Sequence, residues 1–260
     1  MKNLVILISC LISSFLLSQE AIRIQYVLNY QPDSTDIKSK SQELMYLDIL
    51  PTEKKSFFQA QNLYAKDSIL ATNPNALFGL SKPAFSYRVY KNHLTNEQML
   101  YEAKGVYRFK INDSPTLEWK IDKEAKKEIL GYSCQLATMD FRGRTYSAWY
   151  TTELPFIDGP YKFSGLPGVI LEMYDTKKQY HFSAFAIGKL KKYNAYIDDT
   201  KYKELSRQDY IKFLNNAKEN PSILLKNSGI MLPEEAYQKY NKRELEKNRR
   251  KNNPIELKYD

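Results

Sequence analysis

The stretch Gly159-Pro160-Tyr161-Lys162-Phe163-Ser164-Gly165-Leu166-Pro167-Gly168-Val169-Ile170 places three glycines and two prolines within twelve residues. It lies between two runs that read as strands. Proline at 167 presets φ for the second position of a β-turn, and glycine at 168 can take the positive φ that the third position of a type II turn needs. Leu166, preceding a proline, is driven into extended geometry. The chain is therefore expected to arrive extended at Gly165-Leu166, reverse, and leave as a strand from Val169 to Tyr174. Gly159-Pro160 punctuates the approach, Gly165 suggests close backbone contact or an unusual φ, and Tyr161, Phe163 and Leu166 are expected across an edge or mouth of a sheet.

Outward from this point the pattern is of short strands. Ile22, Ile24, Tyr26, Leu28 and Tyr30 share one parity, the period-two signature of a half-buried strand. Further strands are predicted at 43–50, from 57 into a short helix ending at Asn73-Pro74-Asn75, and at 85–90. Runs 98–103 and 106–111 form a hairpin about Lys104-Gly105. Strands at 117–121, 129–139 and 145–154 follow, with Arg142-Gly143-Arg144 as the last turn, and 169–174 pairs with 179–187. After residue 206 the period changes. Ser206 and Asp209 form a capping box, with Tyr210, Phe213, Leu214 and Ala217 at helical spacing. Pro233 suits the first turn of a second helix running to about Arg249. These elements predict a mainly β fold with peripheral α: a curved antiparallel sheet or half-barrel, its C-terminal helices packed on or beside it, in one domain over residues 19–260.

Residues 1–18 read as a signal peptide. Lys2 supplies the positive start, and the apolar run from Leu4 to Leu17 is shorter than the about 20 residues of a spanning helix. A lipoprotein cleavage box at Leu7-Ile8-Ser9-Cys10 would leave too short an apolar region. The mature chain is expected to be exported to the periplasm or outer membrane, or secreted, and not to be transmembrane. It would keep Cys134 alone, so it has no intramolecular disulfide, and at 242 residues it needs no staple for its core. The net charge of +9 falls to +8 with the leader. The charges are scattered up to the last twenty residues, so a solvated surface is expected rather than a nucleic-acid interface. Twenty-one tyrosines and twelve phenylalanines suit sheet faces with amphipathic side chains.

Gly165-Leu166-Pro167-Gly168-Val169-Ile170 resembles the signature of the GLPGLI family of exported Bacteroidetes proteins, with valine at 169 where that signature has leucine. The resemblance extends through Ile129-Leu130-Gly131-Tyr132-Ser133-Cys134, Phe141-Arg142-Gly143-Arg144, Ala148-Trp149-Tyr150-Thr151 and Gly159-Pro160-Tyr161-Lys162-Phe163. It is specific over residues 117–187 and looser elsewhere, including Asn252-Asn253-Pro254-Ile255-Glu256. It carries no established activity. More distantly, the glycine-tyrosine-cysteine strand followed by a tryptophan strand is similar to lipoprotein-carrier (LolA/LolB-like) domains, which implies a curved sheet closed by helices over acyl chains.

The chemistry-bearing residues do not compose a catalytic set. Cys134 reads as a core thiol, because a reactive one wants a histidine or cation beside it, and His93 and His181 are the only histidines. Arg142 and Arg144 at a hairpin tip could grip an anion bidentately. Trp149 and Tyr150 face opposite sides, one of them available to a groove. Glu153, Asp158, Glu172 and Asp175 would act in hydrolysis only if two converged. The sequence therefore predicts a non-enzymatic binding or carrier module without cofactor or metal, holding an apolar or peptide ligand, with Arg142, Arg144, Trp149, Tyr150, Tyr161 and Phe163 as contacts. The alternatives are an accessory docking to an outer-membrane partner through the basic tail and an exposed Gly159–Gly168 loop, and a hydrolase.

Overall fold

The first strand, β1 (Ala21–Tyr30), lies near the middle of the sheet rather than at its edge. The computed structural model describes residues 20–73, 81–191, 193, 197–226 and 231–258; the expected leader, Pro74 and Asn75 lie outside them. From β1 the chain runs outward through β2 (Ser41–Leu50), β3 (Lys55–Ala60), β4 (Tyr87–Asn92), β5 (Glu97–Lys104) and β6 (Tyr107–Asn112). It then crosses to the opposite margin at β7 (Lys120–Ile129) and returns through β8 (Tyr132–Phe141), β9 (Arg144–Thr151), β10 (Val169–Asp175) and β11 (Tyr180–Leu190), which pairs with β1. All these pairings are antiparallel. A short β12 (Lys203–Leu205) adds to β6 in parallel, a departure from the purely antiparallel expectation.

The crossing from β6 to β7 dictates the shape. Ten interstrand steps separate these strands, about 48 Å in a flat sheet. The link 113–119 can span only about 28 Å even when fully extended. The sheet therefore curls until its two halves face each other. Phe58 on β3 and Phe182 on β11 meet at 6.0 Å between ring centroids, and the Tyr26 hydroxyl donates to the Ile170 carbonyl at 2.6 Å.

The long β9–β10 connection, 152–168, fills the concave side as a plug. Phe163 has no solvent exposure and packs on Phe141 and Tyr146 from one half of the sheet, while Tyr161 meets Tyr87 from the other. Helix α1 (Gln61–Thr72) follows β3. Helix α2 (Arg207–Glu219) begins at the expected cap, where Ser206 Oγ accepts from the Asp209 amide at 3.1 Å. Its Phe213 packs on Phe109 of β6 at 4.6 Å. A single turn, α3 (Ile223–Lys226), and the exposed α4 (Glu234–Arg249) follow.

Two local expectations are corrected. The predicted single strand 129–139 is broken by a two-residue turn with positive φ at Leu130 and Gly131 (54° and 82°), a hairpin geometry matched to strand twist. Pro167-Gly168 does not form the type II turn. The Gly168 amide donates back to the Leu166 carbonyl at 2.7 Å, closing a three-residue turn about Pro167. Glycine is needed at 168 because β9 approaches so closely: a Cβ there would lie 2.0 Å from the Thr151 carbonyl oxygen.

Candidate functional site

The plug is held from beneath by a lysine in the core. Tyr87, Val89 and Lys91 share the inward parity of β4, and all three are buried. Lys91 Nζ donates to Asp158 Oδ1 at 2.6 Å, to the Gly159 carbonyl at 2.7 Å and to the Phe163 carbonyl at 3.1 Å. All three hydrogens of the ammonium are thereby used, each on the plug. His93 Nε2 contacts the other Asp158 oxygen at 3.0 Å. Burial alone would raise the Asp158 carboxyl, but the Lys91 charge and the His93 hydrogen bond outweigh it and hold the group at about 2. An aspartate whose folded value lies below its ordinary 3.8 contributes stability above pH 4 that is lost as pH falls through 2. Urea midpoints should be level from pH 7 to 5 and fall below pH 4, with about 2 kcal/mol of the loss absent in Asp158→Asn.

At the plug residues between the Gly159 and Phe163 carbonyls, Tyr161 and Lys162, two carboxylates gather three cations. Asp113, on the β6–β7 link, pairs with Arg142, Lys162 and Arg207. Glu256 Oε1 accepts from Arg142 at 2.7 Å, Lys162 at 2.7 Å and the Tyr161 hydroxyl at 2.5 Å. Burial would raise Asp113, yet the hydrogen bonds of Arg142 and the charge of Lys162 hold it far below the usual carboxylate range. Glu256 is lowered too: against the burial penalty, Lys162 and Arg142 prevail. The Arg142 guanidinium is correspondingly raised despite its burial.

Glu256 belongs to a C-terminal strap that this end of the sheet grips. Arg144 donates to the Ile255 carbonyl (3.1 Å), the Pro254 carbonyl (2.7 Å) and Asn253 Oδ1 (2.6 Å), and also to Asp175 and Gln179. Tyr180 and Tyr146 donate to the carbonyls of Asn253 and Ile255. The Leu257 and Lys258 amides donate to the Arg142 carbonyl at the β8–β9 tip.

Between the strap, α2 and the concave face of the sheet lies a cavity of about 420 Å3, within the range of small-ligand sites. Tyr30, Phe85, Leu100, Tyr210, Leu214 and Ile255 form its apolar walls, and Lys162, Asp113, Arg207 and Glu256 its charged end. Tyr87 also lines it. Its buried hydroxyl has no hydrogen-bond partner among the described residues, and burial raises its pKa well above the ordinary tyrosine value.

The residues singled out in the sequence are dispersed relative to this cavity. Tyr161 lines it, and Arg142 touches the two carboxylates at its charged end. Arg144 anchors the strap. Tyr150 is buried and donates to Gln135 Oε1 at 2.9 Å. Trp149 is half-buried beneath Lys127, whose Nζ lies 4.6 Å from the ring centroid. Both arginines grip carboxylates of this chain itself: Arg142 holds Asp113 and Glu256, and Arg144 holds Asp175 and the strap. The Gly159–Gly168 loop is mostly buried rather than exposed: Tyr161, Lys162, Phe163 and Leu166 lie in the core, and Gly165 and Pro167 reach solvent.

The four acids do not converge. Asp158 is bound by Lys91 and His93, and Asp175 by Arg144. Glu172, taken down to about 2 by the His181 hydrogen bond and by Lys127, pairs with those two residues. Glu153 accepts from the Ser133 amide. His181 meets both Glu172 and Ser183 through Nε2, whereas a catalytic triad uses both ring nitrogens. Cys134 is buried, and desolvation pushes its thiol up to about 11. No group of three His, Cys, Asp or Glu side chains suited to a metal occurs among the described residues, and no helix among them is long and apolar enough to cross a membrane.

A family model described as a protein of unknown function (Porph_ging) matches residues 140–172, from the end of β8 through β9 and the plug into β10. That family has no assigned activity. The match covers the arginine pair, Asp158 and Lys162, the residues that tie the plug and the strap. No curated protein matches the chain. Among solved structures, PNGF-II in its P21 and C2 crystal forms is similar to this chain at 17% identity with a TM-score of 0.52. The similarity covers 76% of this chain and 34% and 33% of those chains. This chain thus spans about a third of the PNGF-II length, and at that identity the likeness concerns the fold alone. An uncharacterized conserved protein from Thermus thermophilus is similar over 73% of this chain and 92% of its own, at 10% identity and a TM-score of 0.37.

Proposed function

We propose that the protein is an exported binding module that holds a small ligand with an apolar body in the cavity between the curled sheet, α2 and the C-terminal strap. One observation carries this reading: a cavity of about 420 Å3 walled by aromatic and aliphatic side chains ends on a buried group of charges. A folded chain gains nothing by leaving such apolar surface unfilled, because void-lining atoms forfeit their dispersion contacts. The charged end would fix a ligand's orientation and the walls its affinity. The abundance of tyrosine fits the same use, with rings forming the wall and hydroxyls tying the strap.

Export rests on the apolar run Leu4–Leu17 behind Lys2, and the mass of the mature chain from its host would show loss of residues 1–18. Binding is tested by titrating the apolar dye 1-anilinonaphthalene-8-sulfonate into the purified, delipidated protein. Dye fluorescence should rise saturably with the folded protein. Leu214→Trp, which puts a larger ring into the cavity from α2, should weaken dye binding at least about tenfold while the far-ultraviolet spectrum stays unchanged. Equal binding by wild type and variant would place the dye elsewhere and remove the proposal.

A further inference from the structure

The hydrogen-bonding inventory at the charged end of the cavity is lopsided. Each carboxylate there is occupied several times over. Asp113 receives two nitrogens of Arg142, one of Lys162 and the Arg207 Nε at 3.2 Å. Glu256 Oε1 receives Arg142, Lys162 and Tyr161, and its Oε2 has Arg207 at 3.8 Å. Glu102 is taken by Lys104 at 2.6 Å and by the Tyr210 hydroxyl. Donors, in contrast, are left over. An ammonium has three hydrogens, and Lys162 directs one to Asp113 and one to Glu256, with no third acceptor among the described residues. The Tyr87 hydroxyl has none at all among them. Both side chains line the cavity and both are more than nine-tenths buried. The lining also carries four cations, Lys104, Lys162, Arg207 and Lys251, to three carboxylates.

Buried donors without acceptors cost free energy, and a site with surplus donors and surplus positive charge is complementary to an acceptor that carries one negative charge. An ammonium or quaternary head would add a cation to a cation-rich lining and bring no acceptor. A neutral alcohol brings an acceptor but leaves the charge uncompensated. A carboxylate supplies two oxygens and a single charge. We infer, on the footing of the binding role proposed above, that the ligand is a small amphipathic carboxylate. Its carboxyl group sits against Lys162 Nζ and the Tyr87 hydroxyl, and its apolar body lies along Phe85, Leu100 and Leu214.

The test is calorimetric titration of the wild-type protein with decanoate, decanol and decyltrimethylammonium, each below its aggregation concentration, beside Tyr87→Phe and Leu214→Trp. Tyr87→Phe keeps the ring and the packing and removes only the hydroxyl, so it should fold as the wild type does. Decanoate should bind about tenfold tighter than decyltrimethylammonium, the difference expected when a buried donor finds or lacks its partner, and tighter than decanol, which leaves the charge uncompensated. Tyr87→Phe should weaken decanoate about tenfold and leave decyltrimethylammonium, which brings no acceptor, unchanged, whereas Leu214→Trp should weaken every probe that binds. Equal affinity for the three head groups, or an equal loss on Tyr87→Phe for decanoate and decyltrimethylammonium, would overturn the carboxylate while leaving the cavity as a binding site. Failure of all three probes and of the dye to bind would remove the cavity reading and this inference together.

Discussion

Lys91→Ala should lower the free energy of unfolding by about 3–5 kcal/mol. The magnitude follows from leaving a buried carboxylate without its ammonium. Asp158 would keep the His93 contact and the Gly159 amide but no cation of full charge, and the Gly159 and Phe163 carbonyls would each lose a donor. Those two carbonyls lie in the middle and second half of the plug, so its grip on β4 loosens with the charge. The double variant Lys91→Met/Asp158→Asn should be more stable than Lys91→Ala, because it removes both charges and keeps most of the volume. Urea denaturation of the wild type, Lys91→Ala, Asp158→Asn and the double variant measures both effects. A loss below about 1 kcal/mol, the range of an exposed pair, would contradict a buried lock.

Glu256→Ala should cost as much, about 3–5 kcal/mol. Arg142, Lys162 and the Tyr161 hydroxyl share its Oε1, and Arg207 lies 3.8 Å from its Oε2, so its removal leaves buried cations facing Asp113 alone. It also cuts the strap from the plug, while Arg144 still holds Asn253 to Ile255. The strap should therefore open at its end before the sheet unfolds. Hydrogen exchange should show faster exchange of the Leu257 and Lys258 amides, which donate to the Arg142 carbonyl, with β1 and β11 unchanged. Uniformly faster exchange across the sheet would show instead that the strap is not a separate unit.

How much of this is legible in the sequence depends on which force sets each element. Period-two alternation from Ile22 to Tyr30, the hairpin about residues 175–178, the Ser206 cap and the helix from Pro233 to Arg249 are local signals, and the structure has all four. β7 is different. Its Asp122–Glu128 run is charged because the strand is a sheet margin, where charge discourages pairing with another chain, and no apolar alternation marks it as a strand. The predicted strand at 117–121 therefore stops short, and the turn at Leu130-Gly131 is hidden inside an apolar run. The curl is not local at all. It arises from the shortness of the β6–β7 link against a strand order that no window of sequence contains.

The candidate site follows the same division. Arg142, Arg144 and Tyr161 can be picked out by residue type, but a lysine is ordinarily a surface residue, and Lys91 and Lys162 are core residues here. For Lys91 a signal exists: it continues the inward parity of Tyr87 and Val89. Lys162 has only its position between Tyr161 and Phe163, and Glu256 only its place in the Asn252–Glu256 segment. Their meeting with Asp113 and Arg142 joins four distant parts of the chain.

The central claim is that the cavity is a ligand site rather than a packing gap. A crystal structure of the protein grown with saturating decanoate tests it most directly. The account predicts ligand density running between Phe85 and Leu214 with the carboxyl group at Lys162 and Tyr87; an empty cavity under those conditions, or decanoate bound only outside it, would contradict the claim.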